Sequence, residues 1–251
     1  MQKNTNLNDN SIKKYFDKIF WCSKEDFYND IKKSIDKNEK RFIITANPET
    51  IMTAEKNERL KQCILSDYTT VIPDGIGIIK GANFLKYPAK YTITGVELTL
   101  ELLKYCNINK KAVFLFGAKD EVIQNLEKKL KNDYPNIAIL GAINGYEPDK
   151  QAVFEKIKEL SPDLILVALG IPAQEILIND NYKDFNKGIF IGVGGSFDVI
   201  SGTKKRAPKF FVKHHLEWLY RITTEPKRLK RFFNNNIKYI FKLIKEKTKK
   251  D

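Results

Sequence analysis

Short apolar runs alternate with longer helical patterns along most of this chain, and this alternation restricts the possible fold more than any other feature. Runs that are apolar at every position are typical of strands buried on both faces, as in parallel sheets whose connections are helices. The pattern predicts an α/β fold with a Rossmann-like, mostly parallel sheet covered by helices on both faces. The predicted strands cover residues 41–46, 69–72, 112–116, 137–140, 164–169 and 188–193.

Four local predictions concern the segments around this sheet. Residues 1–14 are polar and are expected to be frayed, whereas residues 19–22 are expected to form a short strand. Pro48 is expected to begin a single helix over residues 48–65, because proline fits the first turn of a helix. Two helices are predicted after residue 203.

The positive charge of the chain is concentrated in its C-terminal part. The net charge is +13, and residues 204–251 hold 16 basic and 4 acidic residues, so the remainder is nearly neutral. We therefore expect an α/β core domain over residues 1–203 and a basic helical appendage over residues 204–251. Two apolar stripes recur there at helical spacing: Phe211, His215, Trp218 and Ile222 in the first, and Leu229, Phe233, Ile237, Ile240, Phe241 and Ile244 in the second.

An apolar stripe beside a cationic face is typical of helices that lie in a membrane interface. The appendage is therefore expected to contact an anionic membrane surface. The alternative is a helical hairpin that packs on the core with its stripes buried and its charges in water.

Several classes of protein are disfavoured by what the sequence lacks. Its three cysteines are far apart and its two histidines are adjacent, so neither a zinc site nor a disulfide framework is expected. The polar start is not typical of a secretory signal, and no run approaches the roughly 20 apolar residues that span a bilayer. The sequence contains no P-loop, GxSxG or DxD motif. We expect neither a cofactor nor a bound metal.

Asp74 is the main candidate for catalysis. It follows a predicted buried strand in the segment VIPDGIG, and ligands of such sheets lie in the crevice at the carboxyl ends of the strands. A carboxylate there can act as a general base. The alternative is an aspartate that only caps a helix or stabilises a turn.

Other strand ends carry polar and glycine-rich segments. Thr45 and Asn47 lie at the end of the first predicted strand and could bind sugar hydroxyls, although Asn47 before Pro48 can equally be only a helix cap. The segment GIPAQE turns a strand into a helix, whose start favours phosphate and whose Gln174 could reach a base or a sugar. It can also be a plain turn. The candidate backbone contacts are Gly170, Gly194 and Gly195.

Several long motifs occur together in a fixed order. They are TANPET, VIPDGIGI, TGVEL, FLFGAKDEVI, PDLILVALGIPAQE and GVGGSFDVISGTKKRAPKF, followed by LEWLYRITTEPKRLKR. Together these motifs resemble the WecG/TagA/CpsF glycosyltransferase family over about residues 42–231. The resemblance implies inverting transfer from a UDP-sugar, often UDP-N-acetylmannosamine or its uronic acid, to an undecaprenyl-diphosphate-linked N-acetylglucosamine in cell-surface polysaccharide synthesis.

The resemblance also implies roles for particular residues. Asp74 matches the general base, Thr45 and Asn47 match residues near the sugar, and Gln174 matches a polar residue of the family's Pro-Lys-Gln-Glu segment. Arginines of the appendage are implied to face lipid or the acceptor diphosphate. These are Arg221, Arg228 and Arg231, and Arg206 of the preceding motif is expected to contact substrate as well.

The chain departs from the family pattern at two positions. Thr92 stands where members often have an arginine, three residues before the glycine of TGVEL, and Lys90 is the candidate replacement. Ala173 replaces the lysine of Pro-Lys-Gln-Glu. Each change removes one cation that a diphosphate could contact.

Together these features predict a metal-independent UDP-sugar-dependent glycosyltransferase in the cytoplasm, peripheral on the inner face of the plasma membrane. Its expected partners are a UDP-sugar, a polyprenyl-diphosphate-linked acceptor and the membrane surface. No nucleic acid is expected, and a homo-oligomer remains open. The alternative functions are a nucleotide-binding regulatory module and a nucleic-acid-binding protein that uses the basic tail.

Overall fold

The computed structural model describes residues 11–214, 216–224 and 227–249, with the side chains of all of these except 209, 221, 222, 227, 228 and 230–232. The strands within these ranges are β1 (Lys40–Ala46), β2 (Thr69–Pro73), β3 (Ala112–Gly117), β4 (Ala138–Ile143), β5 (Leu164–Ala168) and β6 (Gly188–Gly192). They form one sheet in the order β2-β1-β6-β5-β3-β4, and every pair of neighbours is parallel.

Helices connect successive strands and continue beyond the last one. The helices before β4 are α1 (Lys13–Lys18), α2 (Lys24–Asp36), α3 (Pro48–Ala54), α4 (Glu58–Leu65), α5 (Ile76–Phe84), α6 (Gly95–Ile108) and α7 (Asp120–Asp133). Those after β4 are α8 (Lys150–Leu160), α9 (Ala173–Tyr182), α10 (Ser196–Ile200), α11 (Lys209–Lys213), α12 (Glu217–Thr224) and α13 (Lys227–Thr248).

Apolar side chains cover both faces of the sheet, because successive residues of a strand point to opposite sides. Phe42 and Ile44 belong to a cluster with residues of α1, α3, α4, α5, α8, α9 and α13. Ile43 belongs to a second cluster with residues of α2, α6, α7 and α10. The predicted α/β fold with helices on both faces is therefore confirmed.

Several local predictions differ from the structure. Residues 19–22 form no strand, because only Ile19 bridges to β2, at Val71. The single helix expected over residues 48–65 is two helices, since the Asn57 side chain accepts from the Leu60 N–H and starts α4 anew. The first tail helix is likewise divided into α11 and α12, and His215 of its predicted stripe lies outside the described residues.

The long helix α13 packs one face against the core. Tyr239 and Leu243 are buried in the first apolar cluster, and the Tyr239 hydroxyl donates to the Gly77 carbonyl oxygen at 3.3 Å. A Cβ at Gly81 would overlap with the Tyr239 hydroxyl, so the glycine in α5 permits this close approach. One face of α13 is thus packed on the core, but through side chains outside the predicted stripe, which the alternative of a packed hairpin expected to be buried.

The segment before α2 is folded as well, contrary to the expectation of fraying up to residue 14. Lys14 is buried and pairs at 3.3 Å with Glu55, which also pairs with Lys242 of α13. The Ser11 hydroxyl donates to Glu246 of α13 at 2.7 Å. Polar and charged residues of this segment are therefore paired with residues far away in the sequence. The local sequence, which shows only that the segment is polar, cannot indicate these pairs. Residues 1–10 lie outside the described residues.

The opposite face of α13 is apolar and open to solvent. Its six large apolar side chains are each between 43% and 67% exposed: Leu229, Phe233, Ile237, Ile240, Phe241 and Ile244. We call these six the exposed stripe. Among the described residues, no helix is both long enough and apolar enough to cross a bilayer.

Candidate active site

The carboxyl ends of four adjacent strands bring most of the predicted site residues into one row. Ala46 of β1 is paired with Pro73 of β2, and the Asp74 N–H donates to the Ala46 carbonyl at 2.8 Å. Asn47 and Asp74, which follow these two residues, therefore lie at neighbouring positions. β6 and β5 continue the row with Gly194 and Gly170. Ligands of parallel sheets bind at such an edge, where strand ends leave a crevice.

Asp74 lies in a turn between β2 and α5 that is held from two directions. Gly75 has a φ of +85°, which favours glycine, and no atom would lie within 4 Å of an added Cβ. The Gly75 N–H donates to the Thr92 hydroxyl at 2.6 Å, and that hydroxyl donates to the Pro73 carbonyl oxygen at 3.1 Å. Asp74 itself is partly exposed.

Asn47 both caps a helix and faces the row of strand ends. Its Oδ1 accepts from the Thr50 N–H at 3.0 Å and forms a capping box with Thr50 at the start of α3. Thr45 is partly exposed, two residues earlier on β1, and its carbonyl accepts from the Thr50 hydroxyl at 3.4 Å. The cap expected as one alternative is present, and the contact of Asn47 with a sugar stays a prediction.

Gln174 joins two loops of the site. Its Oε1 accepts from the Gly170 N–H and the Gly194 N–H, each at 3.1 Å, and its Nε2 donates to Glu175 at 2.7 Å. The side chain is 3% exposed and packs on Gly192, where a Cβ would lie 2.6 Å from Nε2. In this arrangement Gln174 fixes the loops after β5 and β6, and its predicted contact with a base or sugar stays a prediction.

Glu175 is a buried carboxylate beside this junction. Its Oε1 accepts from Gln174, whereas its Oε2 is buried and has no hydrogen-bond partner in the part of the chain that the structure describes. Removal from water raises the pKa of the Glu175 carboxyl to about 7, because burial disfavours the charged form. The neutral acid is thus abundant at neutral pH.

The raised pKa of Glu175 predicts a pH-dependent stability. The folded pKa lies above the unfolded value of 4.5, so the stability contributed by the protonated acid is complete below pH 4.5 and is lost as pH rises through 7. Relative to wild type, Glu175→Gln is expected to gain up to about 3 kcal/mol in free energy of unfolding between pH 4.5 and pH 8.

Denaturant unfolding of both proteins across this pH range measures that difference. Glu159→Gln, a change at an exposed position of α8, is the matched control for losing one negative charge. If the difference in free energy of unfolding between Glu175→Gln and wild type does not change with pH, the raised pKa of the buried Glu175 carboxyl is wrong.

The start of α6 also reaches the site. Thr94 caps this helix together with Glu97 in a capping box. A Cβ at Gly95 would lie 3.3 Å from the Ser196 hydroxyl oxygen and 3.9 Å from the Thr45 methyl carbon, so the glycine lets the helix start approach both loops. The amide groups of a helix N-terminus favour an anion at this edge of the sheet.

A pocket of about 310 Å³ lies next to the row of strand ends. Gly195 and Arg206 both line it, so two predicted substrate contacts share one cavity. Lys204 of its wall pairs with Asp198 at 3.2 Å. The complete lining is Val96, Gly195, Val199, Lys204, Lys205, Arg206, Ala207, Glu217, Tyr220 and Thr224. The mainly cationic polar wall suits a phosphate-bearing ligand.

The other predicted cations are not placed in this row. Lys90 is exposed, and Thr92, two residues later, is buried beneath the turn of Asp74. The side chains of Arg221, Arg228 and Arg231 lie outside the described residues. Their assignment to lipid or acceptor diphosphate stays a prediction.

The comparison with known families decides the class of the protein. The sequence profile of the "Glycosyl transferase WecG/TagA/CpsF family" matches residues 16–251. The chain belongs to this family. It is therefore a glycosyltransferase, as the ordered motifs predicted.

Relatives from three bacteria support this membership over most of their length. A protein of Bacillus spizizenii is 40% identical over 211 residues, which cover 84% of this chain and 81% of that protein. One of Bacillus subtilis is 38% identical over 216 residues, covering 86% and 84%, and one of Staphylococcus aureus is 36% identical over 208 residues, covering 83% and 81%. Each is named N-acetylglucosaminyldiphosphoundecaprenol N-acetyl-beta-D-mannosaminyltransferase.

Sequence reasoning missed several groups of this candidate site. The contact of Thr92 with the Asp74 turn joins residues 17 positions apart, and nothing local in the sequence indicates it. Glu175 lies in the first turn of α9, where a charged side chain usually stabilises the helix start from the surface. Glu217 and Tyr220 of α12 line the same pocket as Val96 of α6 and Val199 of α10, residues far from them in sequence.

Proposed function

We propose that this transferase moves N-acetylmannosamine, or a related hexose, from a UDP-sugar to N-acetylglucosamine linked to undecaprenyl diphosphate. The observation that carries the proposal is the placement of Asp74 beside Asn47 at the strand ends of a chain of this family. The names of the relatives, which specify this sugar and this acceptor, support the choice of substrates.

The proposed reaction is a single displacement at the anomeric carbon. Asp74 accepts the proton of the attacking acceptor hydroxyl as the new carbon–oxygen bond forms on one side of the sugar. The bond from the anomeric carbon to the diphosphate breaks on the other side, and its electron pair leaves with UDP. Attack opposite to the leaving group inverts the anomeric configuration.

The leaving group needs positive charge and hydrogen-bond donors in this proposal. Lys205 and Arg206 of the 310 Å³ pocket supply the charge, and the N-termini of α6 and α9 direct backbone N–H groups towards the same edge. Gln174 contributes by holding the loops of Gly170 and Gly194 together. These groups would stabilise UDP as it departs, without an obligatory divalent metal.

The acceptor lipid places the reaction at a membrane surface in this proposal. The exposed stripe of α13 would lie among the lipid headgroups, and the 16 basic residues of positions 204–251 would attract an anionic leaflet. Residues 204–251 then act as a membrane-association unit for the core domain of residues 1–203. This corresponds to peripheral attachment at the cytoplasmic face, where the nucleotide-sugar would be supplied.

A donor screen with a short-chain polyprenyl-diphosphate-linked N-acetylglucosamine acceptor tests the proposal. We expect UDP release that requires the acceptor, a product heavier by one N-acetylhexosamine in mass spectrometry, and an inverted anomeric signal in NMR. UDP-N-acetylmannosamine is the expected preferred donor among UDP-hexoses. UDP binding without turnover for any donor would favour the regulatory alternative, and retention of the anomeric configuration would contradict the displacement.

A further inference from the structure

The turn that carries Asp74 is attached to a segment 17 residues later through one hydroxyl group. The Thr92 Oγ1 accepts from the Gly75 N–H at 2.6 Å and donates to the Pro73 carbonyl oxygen at 3.1 Å. It therefore contacts the residue before Asp74 and the residue after it. A hydroxyl can do both because it has one donor and two acceptor lone pairs.

The other attachments of this turn restrain it less completely. The Asp74 N–H bonds to the Ala46 carbonyl and the Ile93 N–H bonds to the Pro73 carbonyl, each at 2.8 Å. Both bonds hold the strand side of the turn. On the other side, Gly75 has a φ of +85°, an added Cβ would meet no atom within 4 Å, and the Gly75 carbonyl accepts from the Ile78 N–H at 3.3 Å. The bond to Thr92, at 2.6 Å, restrains the Gly75 N–H, which is adjacent to Asp74, and is shorter than the bond from the Ile78 N–H.

Burial makes this attachment effective. Thr92 is 8% exposed, so water has little access to replace its hydroxyl. Without the hydroxyl, the Gly75 N–H would have to turn towards solvent, and the carboxylate attached to the preceding residue would move with it. A general base must lie within hydrogen-bond reach of the proton that it removes, and a displacement of about 1 Å can cost about 100-fold in rate.

We propose that Thr92 is a positioning residue for catalysis, which holds the Asp74 carboxylate in the orientation needed to accept the proton of the acceptor hydroxyl. The proposal rests on the proposed function, in which Asp74 is the base. Thr92 acts through the backbone of the turn and does not contact substrate. Its loss should lower the rate of the chemical step and should leave donor binding nearly unchanged.

Three substitutions at Thr92 isolate the hydroxyl. Thr92→Ser keeps the hydroxyl without the methyl group, whereas Thr92→Ala removes both, and Thr92→Val keeps the shape without the hydroxyl. Thr69→Val is the control for losing a buried threonine hydroxyl, because Thr69 is 5% exposed at the amino end of β2, whereas Asp74 follows the carboxyl end, and its Oγ1 has no hydrogen-bond partner among the described residues. Asp74→Asn is measured alongside, and thermal unfolding establishes that each variant is folded.

The readout is kcat and the donor KM, measured by UDP release from UDP-N-acetylmannosamine with the short-chain acceptor. We expect Thr92→Ala and Thr92→Val to lower kcat about 10- to 100-fold with donor KM within about two-fold of wild type. Thr92→Ser should retain at least about a third of the wild-type kcat, and Thr69→Val should match wild type.

Other outcomes separate this proposal from the proposed function. If Asp74→Asn is inactive but Thr92→Ala equals Thr92→Ser in kcat, Asp74 remains the base and the role of Thr92 is wrong. That role is equally wrong if Thr92→Ala raises the donor KM and leaves kcat unchanged. If Asp74→Asn keeps the wild-type kcat, the base is misassigned and the inference about Thr92 is overturned with it. Should Thr92→Val not fold, the comparison of Thr92→Ala with Thr92→Ser still decides.

Discussion

Asp74→Asn is expected to lower kcat at least about 100-fold, because an amide cannot accept the proton of the acceptor hydroxyl. The fold and the binding of UDP should be retained, since asparagine has the same shape and the turn is held by backbone bonds from Asp74, Gly75 and Ile93. Steady-state kinetics of UDP release, calorimetry of UDP binding and thermal unfolding measure the three properties.

Asp67→Asn is the matched control for this substitution. Asp67 is exposed and precedes the amino end of β2, whereas Asp74 follows its carboxyl end, so the same chemical change is made at opposite ends of one strand. We expect Asp67→Asn to match wild type in kcat. A kcat for Asp74→Asn within a few-fold of wild type would remove Asp74 from the base role, and Asp198 would be the next carboxylate to test.

Replacing Ile237, Ile240 and Phe241 together by serine is expected to abolish stable binding to anionic vesicles. These three members of the exposed stripe are 48%, 54% and 67% exposed, so the substitutions remove little packing from the folded protein. Burial of a large apolar side chain contributes about 1.5–3 kcal/mol, so losing three half-exposed groups should weaken partitioning roughly 100-fold or more. Flotation with vesicles that contain an anionic lipid measures the binding.

The same triple variant distinguishes membrane attachment from catalysis. Transfer to a long-chain lipid acceptor in vesicles should fall together with binding, whereas transfer to a short-chain soluble acceptor should remain near wild type. High salt should weaken vesicle binding of the wild type only in part, because it screens the basic residues but not the burial of apolar groups. Ile108→Ser, at a 66% exposed position of α6, controls for the loss of a surface isoleucine.

Vesicle binding of the triple variant equal to that of wild type would contradict the assigned role of the exposed stripe. Deleting residues 203–251 is a less informative test, although the charge distribution alone suggests it. Such a deletion also removes Tyr239 and Leu243 from the first apolar cluster and leaves Glu55 without Lys242. Loss of binding by the truncated chain could then result from damage to the core.

The sheet was predictable because most of its strands are buried on both faces and are therefore apolar at nearly every position, whereas the edge strand β4 is only partly buried and was predicted over residues 137–140 instead of Ala138–Ile143. The predicted limits of β1 and β6 differ from the structure by one residue each, and the glycine and proline residues at the strand ends marked the loops of the site. The helix break at Asn57 was not predicted, because an asparagine cap within a helical pattern is a weak local signal.

By itself, the sequence determined the α/β class, the position of Asp74 at a strand end and the concentration of charge in residues 204–251, since these follow from local periodicity and composition. Only the tertiary structure decided which side chains meet: Thr92 under the turn of Asp74, Gln174 between two loops, and one face of α13 against Gly81. Such contacts depend on the order of the strands and on the direction in which helices return to the sheet. That order is a property of the whole chain, because each long-range contact forms only when all the connecting elements are in place.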